Sequence, residues 1–247
     1  MKRYSPKRNW VREISPSKKK KRCKITSYYL GLWLESSLSW DYHINSICAK
    51  ANKVLGLIKR TFGFSNKTGV KTAFKALVVP ILEYTCPVWN PYLVKHTKAI
   101  KAIRRRVSQL ICGPNKEYPE RHLELKWGSW ELRRKYLNLV QMYKIIFGYC
   151  DINCHHYFDI IGITRIRSRH EYKIRPKVVP TNYFKYSFFH RRYINDWNSL
   201  PSNVMSSPSL QSVKFPWSST FAHNLPLNTR HSVFNISLCI IIRHLGM

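Results

Sequence analysis

Between residues 41 and 146, apolar side chains recur every three to four positions, the period of amphipathic helices. Ile44, Ile47, Ala51, Val54, Leu55, Ile58 and Phe62 define a first helix from Asp41 to Phe62, with Ser39 or Asp41 as its N-cap. Lys50, Lys53, Lys59 and Arg60 are left for its other faces. A turn at FGFSNK (62–67) leads to a second helix from Thr68 to Tyr84, carried by Val70, Phe74, Leu77, Val78 and Ile81. Pro80 should kink or split it. A third helix, Val94 to Cys112, places Ile100, Ile103, Val107, Leu110 and Ile111 in one wedge of roughly 100°, at ~100° per residue. Gly113 and Pro114 end it. Residues 115–128 read as a loop or short helix. A fourth helix, near Ser129 to Gly148, buries Leu132, Tyr136, Leu139, Val140, Tyr143 and Ile146.

The strand signals are fewer. ITSYYLGLWL, from Ile25 to Leu34, is aromatic and β-rich and reads as one strand, with Gly31 at a bulge or a close backbone approach. Tyr172 to Val179 reads as a second strand and Ser187 to Ser199 as a short helix. Residues 149–165 show no clear period. The pattern therefore predicts a mainly α fold, a helical bundle with a short N-terminal β element and a small β segment near 172–179. Residues 1–24 form a polar basic leader, 25–201 the folded region, and 202–247 a Ser/Pro-rich tail; both ends are expected to be disordered.

Charge changes this picture most. Forty-three Lys and Arg face twelve Asp and Glu, a formal net charge of +31. With 44% apolar and 14% aromatic residues, the chain has the material for a core, so the excess charge belongs to a folded surface. Such a surface points to a polyanion, nucleic acid before membrane, because each cation placed on a phosphate releases a counterion. No stretch approaches the ~20 apolar residues of a membrane span, so no membrane partner is expected. Seven scattered cysteines without a secretory pattern read as reduced and intracellular. The Lys18–Arg22 block reads either as a nuclear-localisation signal or as a solvated tail.

The acids argue against chemistry. No Asp-Asp pair and no Asp-x-Asp occurs among the twelve, so an autonomous two-metal site is not expected. Glu117, Glu120 and Glu124 cluster, and read as a solvated surface. Tyr193-Ile194-Asn195-Asp196 superficially resembles a polymerase Tyr-x-Asp-Asp turn, but it carries Asn in the third position and lies in a helical pattern. Cys150, Cys154, His155 and His156 have zinc-type donors at poor spacing, and Cys112 and His122 add nothing that demands a metal. Core cysteines and loop histidines are the plainer reading. No nucleophilic Cys/His pattern and no Gly-rich phosphate loop is present. No catalytic residue and no cofactor is assigned.

The positive signal is cationic. Lys95, Lys98, Lys101, Arg104, Arg105 and Arg106 occupy the third helix outside its apolar wedge, with no acid on that helix. Such like charges repel one another, and a polyanion offsets this. With Arg133 and Arg134 of the fourth helix, and Tyr28, Tyr29 and Trp33 of the first strand, they could line a groove for phosphates and bases. The alternative is that the aromatics are core and the charges only solubilise.

Five collinear segments, YLGLWLESSLSWDYHI (29–44), KANKVLGLIKR (50–60), AFKALVVPILEYTCPVWNPY (73–92), IKAIRRRVSQLICG (100–113) and YINDWNSLP (193–201), carry a family resemblance. Together they resemble the end of a reverse transcriptase of the non-long-terminal-repeat retrotransposons, of jockey and chicken-repeat type. The resemblance implies a primer-grip hairpin at Tyr29, Leu30 and Gly31, followed by a helical thumb that packs on the primer–template duplex. It further implies RNA–DNA or DNA duplex as partner, and a Mg2+ requirement in a full-length relative. The fingers, the palm and the paired catalytic aspartates of such enzymes should precede YLG, where only a short leader with one acid, Glu13, stands. The expectation is thus a truncated polymerase remnant that binds nucleic acid but is not itself an enzyme. A palm-containing polymerase chain is a candidate partner. A pseudogene-like polypeptide without function, or a zinc-stabilised interaction module, are the alternatives.

Overall fold

The computed structural model describes residues 26–37, 39–63, 65–161, 171–176 and 193–205. The expected leader, most of the expected tail, and the outer parts of the 172–179 strand and the 187–199 helix lie outside these residues. What is described is mostly helical, with two short antiparallel strand pairs.

The first strand pair corrects the reading of one continuous strand. β1 (Thr26–Tyr29) and β2 (Leu32–Glu35) form a hairpin with Thr26 opposite Glu35 and Tyr29 opposite Leu32. Leu30 and Gly31 make the turn with φ of 44° and 87°. Two consecutive positive φ angles give a turn whose twist matches that of the flanking strands. β-propensity alone does not reveal such a reversal, because the residues on either side of it are equally strand-like. The expected close approach at Gly31 is present: a Cβ there would lie 2.7 Å from Cε1 of Tyr84.

α1 (Asp41–Phe62) has the predicted bounds. Its start differs. Trp40 takes the N-cap position without a side-chain bond, so neither Ser39 nor Asp41 occupies that position. Instead the Glu35 carboxylate, reaching over from β2, accepts the Tyr42 N–H at 2.8 Å, while Ser39 Oγ accepts that of Asp41 at 3.2 Å. A carboxylate at a helix N-terminus satisfies orphan N–H groups and complements the dipole.

The second helix is divided just ahead of Pro80, but without unwinding. α2 (Lys67–Ala73), capped by Asn66 at 2.7 Å from the Gly69 N–H, runs through a π-helical turn at Phe74–Val78 into α3 (Val79–Glu83). Proline removes one donor and crowds the carbonyl four residues back. The wider turn, in which the Val79 N–H reaches the Phe74 carbonyl, absorbs that misfit. α4 (Cys86–Trp89) follows. α5 (Val94–Cys112) has the predicted bounds, α6 (Tyr118–Glu124) fills the uncertain 115–128 segment, and α7 (Trp130–Ile146) lies within the predicted fourth helix.

Two hydrophobic clusters result. The first joins the hairpin and α1 to α5, with Ile44, Ala51, Ile58, Val78, Trp89, Ile100, Ile103 and Val107 at its centre. All five apolar wedge residues of α5 are buried in it. The second packs Leu139, Met142, Tyr143 and Ile145 of α7 against a small terminal module. That module holds α8 (Cys154–Tyr157), β3 (Asp159–Ile161) paired with β4 (Lys173–Arg175), α9 (Ile194–Asn198) and α10 (Ser202–Met205). Val204 and Met205 are buried there, so packing continues past the expected edge of the folded region at Pro201.

YINDWNSLP is the clasp of this module. Tyr193 bonds Asn90, and Asp196 accepts from Lys135 of α7 at 2.5 Å. Trp197 Nε1 donates to the Tyr172 carbonyl at 2.7 Å. The Asn198 amide accepts the Ile174 N–H at 2.9 Å and donates to its carbonyl at 2.8 Å, as a further strand would. Asp196 thus lies in a helix and serves an ion pair.

Candidate nucleic-acid interface

Helix α5 packs its apolar wedge against α1 and leaves the opposite side to solvent. Lys95, Lys98, Lys101 and Arg105 are exposed and follow one another at i+3, i+3 and i+4, so they form a single stripe along the helix. Lys98 makes no ion pair among the described residues. Lys95 reaches Asp41 at 2.7 Å and Lys101 reaches Glu131 at 2.8 Å. These two pairs are largely exposed, and such pairs contribute only about 0–1 kcal/mol, so both lysines can be re-paired with a stronger anion. Arg105 lies over the Tyr118 ring at 5.1 Å, and exposed Arg106 donates to the Asn52 side-chain carbonyl at 2.7 Å.

The two acids under the stripe are held ionised. The hydrogen bond from Lys95 lowers the Asp41 carboxyl below its ordinary range; burial opposes this and His96, at 2.5 Å, adds to it. Burial pushes Glu131 up, but bonds from Lys101 and Ser129 outweigh it and leave the carboxyl at about 2.

Three cations expected on this surface are turned inward. Arg104 is 4% exposed: its Nη2 donates to the Gly128 carbonyl at 2.7 Å, and its Cζ lies 5.1 Å from the Trp127 ring and 5.7 Å from that of Trp130. On the helical wheel Arg104 sits ~20° beyond the apolar wedge. The segment joining α6 to α7 folds over that edge and covers it. Arg134 is 5% exposed. Arg133 faces Glu83 of α3 in a two-pronged pair, with Nη2 to Oε2 at 2.9 Å. The paired tryptophans beside Gly128 were the one sequence signal for a buried guanidinium; nothing local marked Glu83 as the partner of Arg133.

Tyr29, Leu30 and Gly31 lie at the hairpin turn. The Tyr84 hydroxyl donates to the Leu30 carbonyl at 2.9 Å, so the turn is anchored to the helical layer. On the hairpin's outer face Tyr28 and Trp33 lie 4.7 Å apart, and Trp33 meets Tyr42 edge-on at 5.0 Å. Tyr28 is well exposed, so these aromatics are not all core.

Among the described residues no three or more His, Cys, Asp or Glu side chains converge on a possible metal position. Among the described residues no carboxylate cluster stands that could hold the Mg2+ which the family resemblance attaches to a complete polymerase. Cys150 is buried, with the Gln141 amide 3.5 Å from its sulfur. No described helix is long and apolar enough to cross a membrane.

The structure therefore defines a mostly helical, basic protein with an exposed cationic helix and an anchored aromatic hairpin, both packed on α1. In an alignment 91 residues long that covers 34% of the chain, its sequence is 32% identical to a Drosophila melanogaster protein described as a probable RNA-directed DNA polymerase from transposon X-element. The match takes in 10% of that protein's length. No protein-family model and no solved structure matches the chain. Part of this chain is thus similar to a short part of a probable transposon RNA-directed DNA polymerase.

Proposed function

We propose that this chain corresponds to the primer-grip and thumb region of a non-long-terminal-repeat retrotransposon polymerase, and that it grips nucleic-acid duplex without regard to sequence. The single observation that carries the proposal is the stripe Lys95, Lys98, Lys101 and Arg105 on a helix that contains no acid. From Lys95 to Arg105 it extends roughly 15 Å at 1.5 Å per residue. That length matches ~4 phosphates along one strand at 3.4 Å each. The anchored hairpin packs on the start of α1 and offers Tyr28 and Trp33 as stacking surfaces for an end of the duplex. Catalysis is not assigned to this chain; a polymerase reaction would need carboxylates from another segment or another chain.

The test is duplex affinity as a function of salt, on RNA–DNA and DNA duplexes, for the wild-type chain and Lys98→Glu/Lys101→Glu/Arg105→Glu. Loss of three phosphate contacts should flatten the log–log salt slope by about 3. An unchanged affinity and slope would remove α5 from the interface.

A further inference from the structure

Helix α6 lies against α5 and brings a second arginine to the phenol ring that Arg105 covers. The Cζ of Arg121 is 5.9 Å from the Tyr118 ring centre, against 5.1 Å for Arg105, so one ring is shared by two guanidiniums. Arg104 is close enough to feel the Tyr118 hydroxyl, and His122 is held below its ordinary pKa by burial and then by Arg104. Arg121 is 4% exposed, yet its Nε and Nη1 have no hydrogen-bond partner, and Arg104 Nε has none either. Among the described residues no ion pair joins Arg121 to an acid: Glu124 of its own helix pairs with Lys116, and Glu131, which attracts Arg104, takes Lys101 and Ser129.

A guanidinium buried with open donors carries the desolvation penalty without its compensation. Arg133 does not share this state, since it has Glu83, and Arg104 shares it only at Nε, having Gly128 and two indole rings for the rest. A purely structural Arg121 would be expected to have a comparable partner. What Arg121 and its neighbours lack is an anion with several acceptor oxygens, and the guanidinium fork is matched to phosphate. Arg105 is exposed on the α5 stripe, so such an anion would come from the side that the proposed duplex occupies.

We propose that Arg105 and Arg121, set around Tyr118 with Arg104 beside them, form a binding site for one phosphate group, supplied in the complex by a backbone phosphodiester. The assignment to nucleic acid rests on the proposed function above; the phosphate site itself does not.

Two measurements on the full chain separate these statements. The first is the unfolding midpoint in inorganic phosphate against chloride at equal ionic strength. Phosphate should raise the midpoint of the wild type. Arg121→Met should be at least as stable as the wild type in chloride and should show no rise in phosphate. Arg105→Gln, at an exposed position, should fold normally and show a reduced rise. The second is the salt dependence of duplex binding, in which Arg121→Met should lower the slope by about 1. An equal phosphate shift in the wild type and both variants overturns the site, as does an Arg121→Met chain that is destabilised yet keeps the shift. If Arg121→Met does not fold, a full phosphate shift in Arg105→Gln overturns it. Loss of the phosphate shift in a chain whose wild type binds no duplex upholds the site, identifies free phosphate as its ligand, and sinks the duplex reading instead.

Discussion

The Tyr84 hydroxyl donates to the Leu30 carbonyl at 2.9 Å, and the same ring fills the space that a side chain at Gly31 would need. The turn of the hairpin and the end of α3 are therefore fitted to one another. The Tyr84 carbonyl in turn accepts Trp89 Nε1 at 2.8 Å, which ties the tyrosine to the first core.

Gly31→Ala should therefore be costly on two counts. It forces a Cβ into a φ of 87° and to 2.7 Å from a ring atom that cannot swing away without losing its hydrogen bond. Left-handed backbone costs about 1–2 kcal/mol, and overpacking adds typically 1–3 kcal/mol. Tyr84→Phe, which removes only the hydrogen bond, should cost about 1 kcal/mol. Urea unfolding of the two variants checks the order.

The Glu83–Arg133 pair links α3 to α7, with both side chains largely out of water. Glu83→Leu or Arg133→Met alone leaves an uncompensated charge and should cost roughly 3–5 kcal/mol. The double variant should recover most of that loss. A double-mutant cycle by chemical denaturation measures the coupling, and additive losses would contradict the pair's importance.

His43 is buried beside Trp89, and desolvation lowers its pKa from 6.5 to about 4. A histidine whose folded pKa is depressed stabilises the fold above its unfolded pKa. That contribution is lost as pH falls from about 6.5 to about 4, because there the unfolded chain binds the extra proton. The total loss is on the order of 3 kcal/mol. Unfolding free energy measured across this window should fall for the wild type and fall less for His43→Gln.

Arg104 and Lys98 should behave oppositely although both lie on α5. Arg104→Ala removes the Gly128 bond and the contacts with Trp127 and Trp130, so it should destabilise the fold by roughly 2–3 kcal/mol. In the refolded variant the salt slope of duplex binding should fall by less than about 1, because Arg104 stands beside the Arg105–Arg121 phosphate site and spends its Nη2 on Gly128. Lys98→Ala should leave stability within about 0.5 kcal/mol and lower the slope by about 1.

Local chemistry made much of this fold legible. The bounds of α1 and α5 follow from the 3.6-residue period, and Gly113 after Cys112 ends α5 as expected. The buried wedge of α5 is read directly from its five apolar positions, since a helix this polar has only one side to offer a core. The hairpin turn was harder: Leu30–Gly31 carries none of the Asn or Asp that marks such turns, and its positive φ angles are stabilised by Tyr84, distant in sequence. The π-helical turn ahead of Pro80 was hidden because proline dictates a misfit but not how neighbouring helices resolve it.

Which of the many cations face water was decided at the tertiary level. A lysine or arginine looks the same in the sequence whether it is solvated, paired or buried. The chain order of α5 puts Arg104 and Arg105 side by side, and composition treats them alike. Only the return of residues 125–130 over one edge of the helix buries Arg104 against Trp127 and Trp130 and leaves Arg105 outside. The excess of positive charge and the helices that carry it are properties of the chain itself. The selection of Lys95, Lys98, Lys101 and Arg105 as the exposed stripe, and of Arg121 as an arginine with open donors, comes from long-range packing, because burial depends on what lies opposite in space.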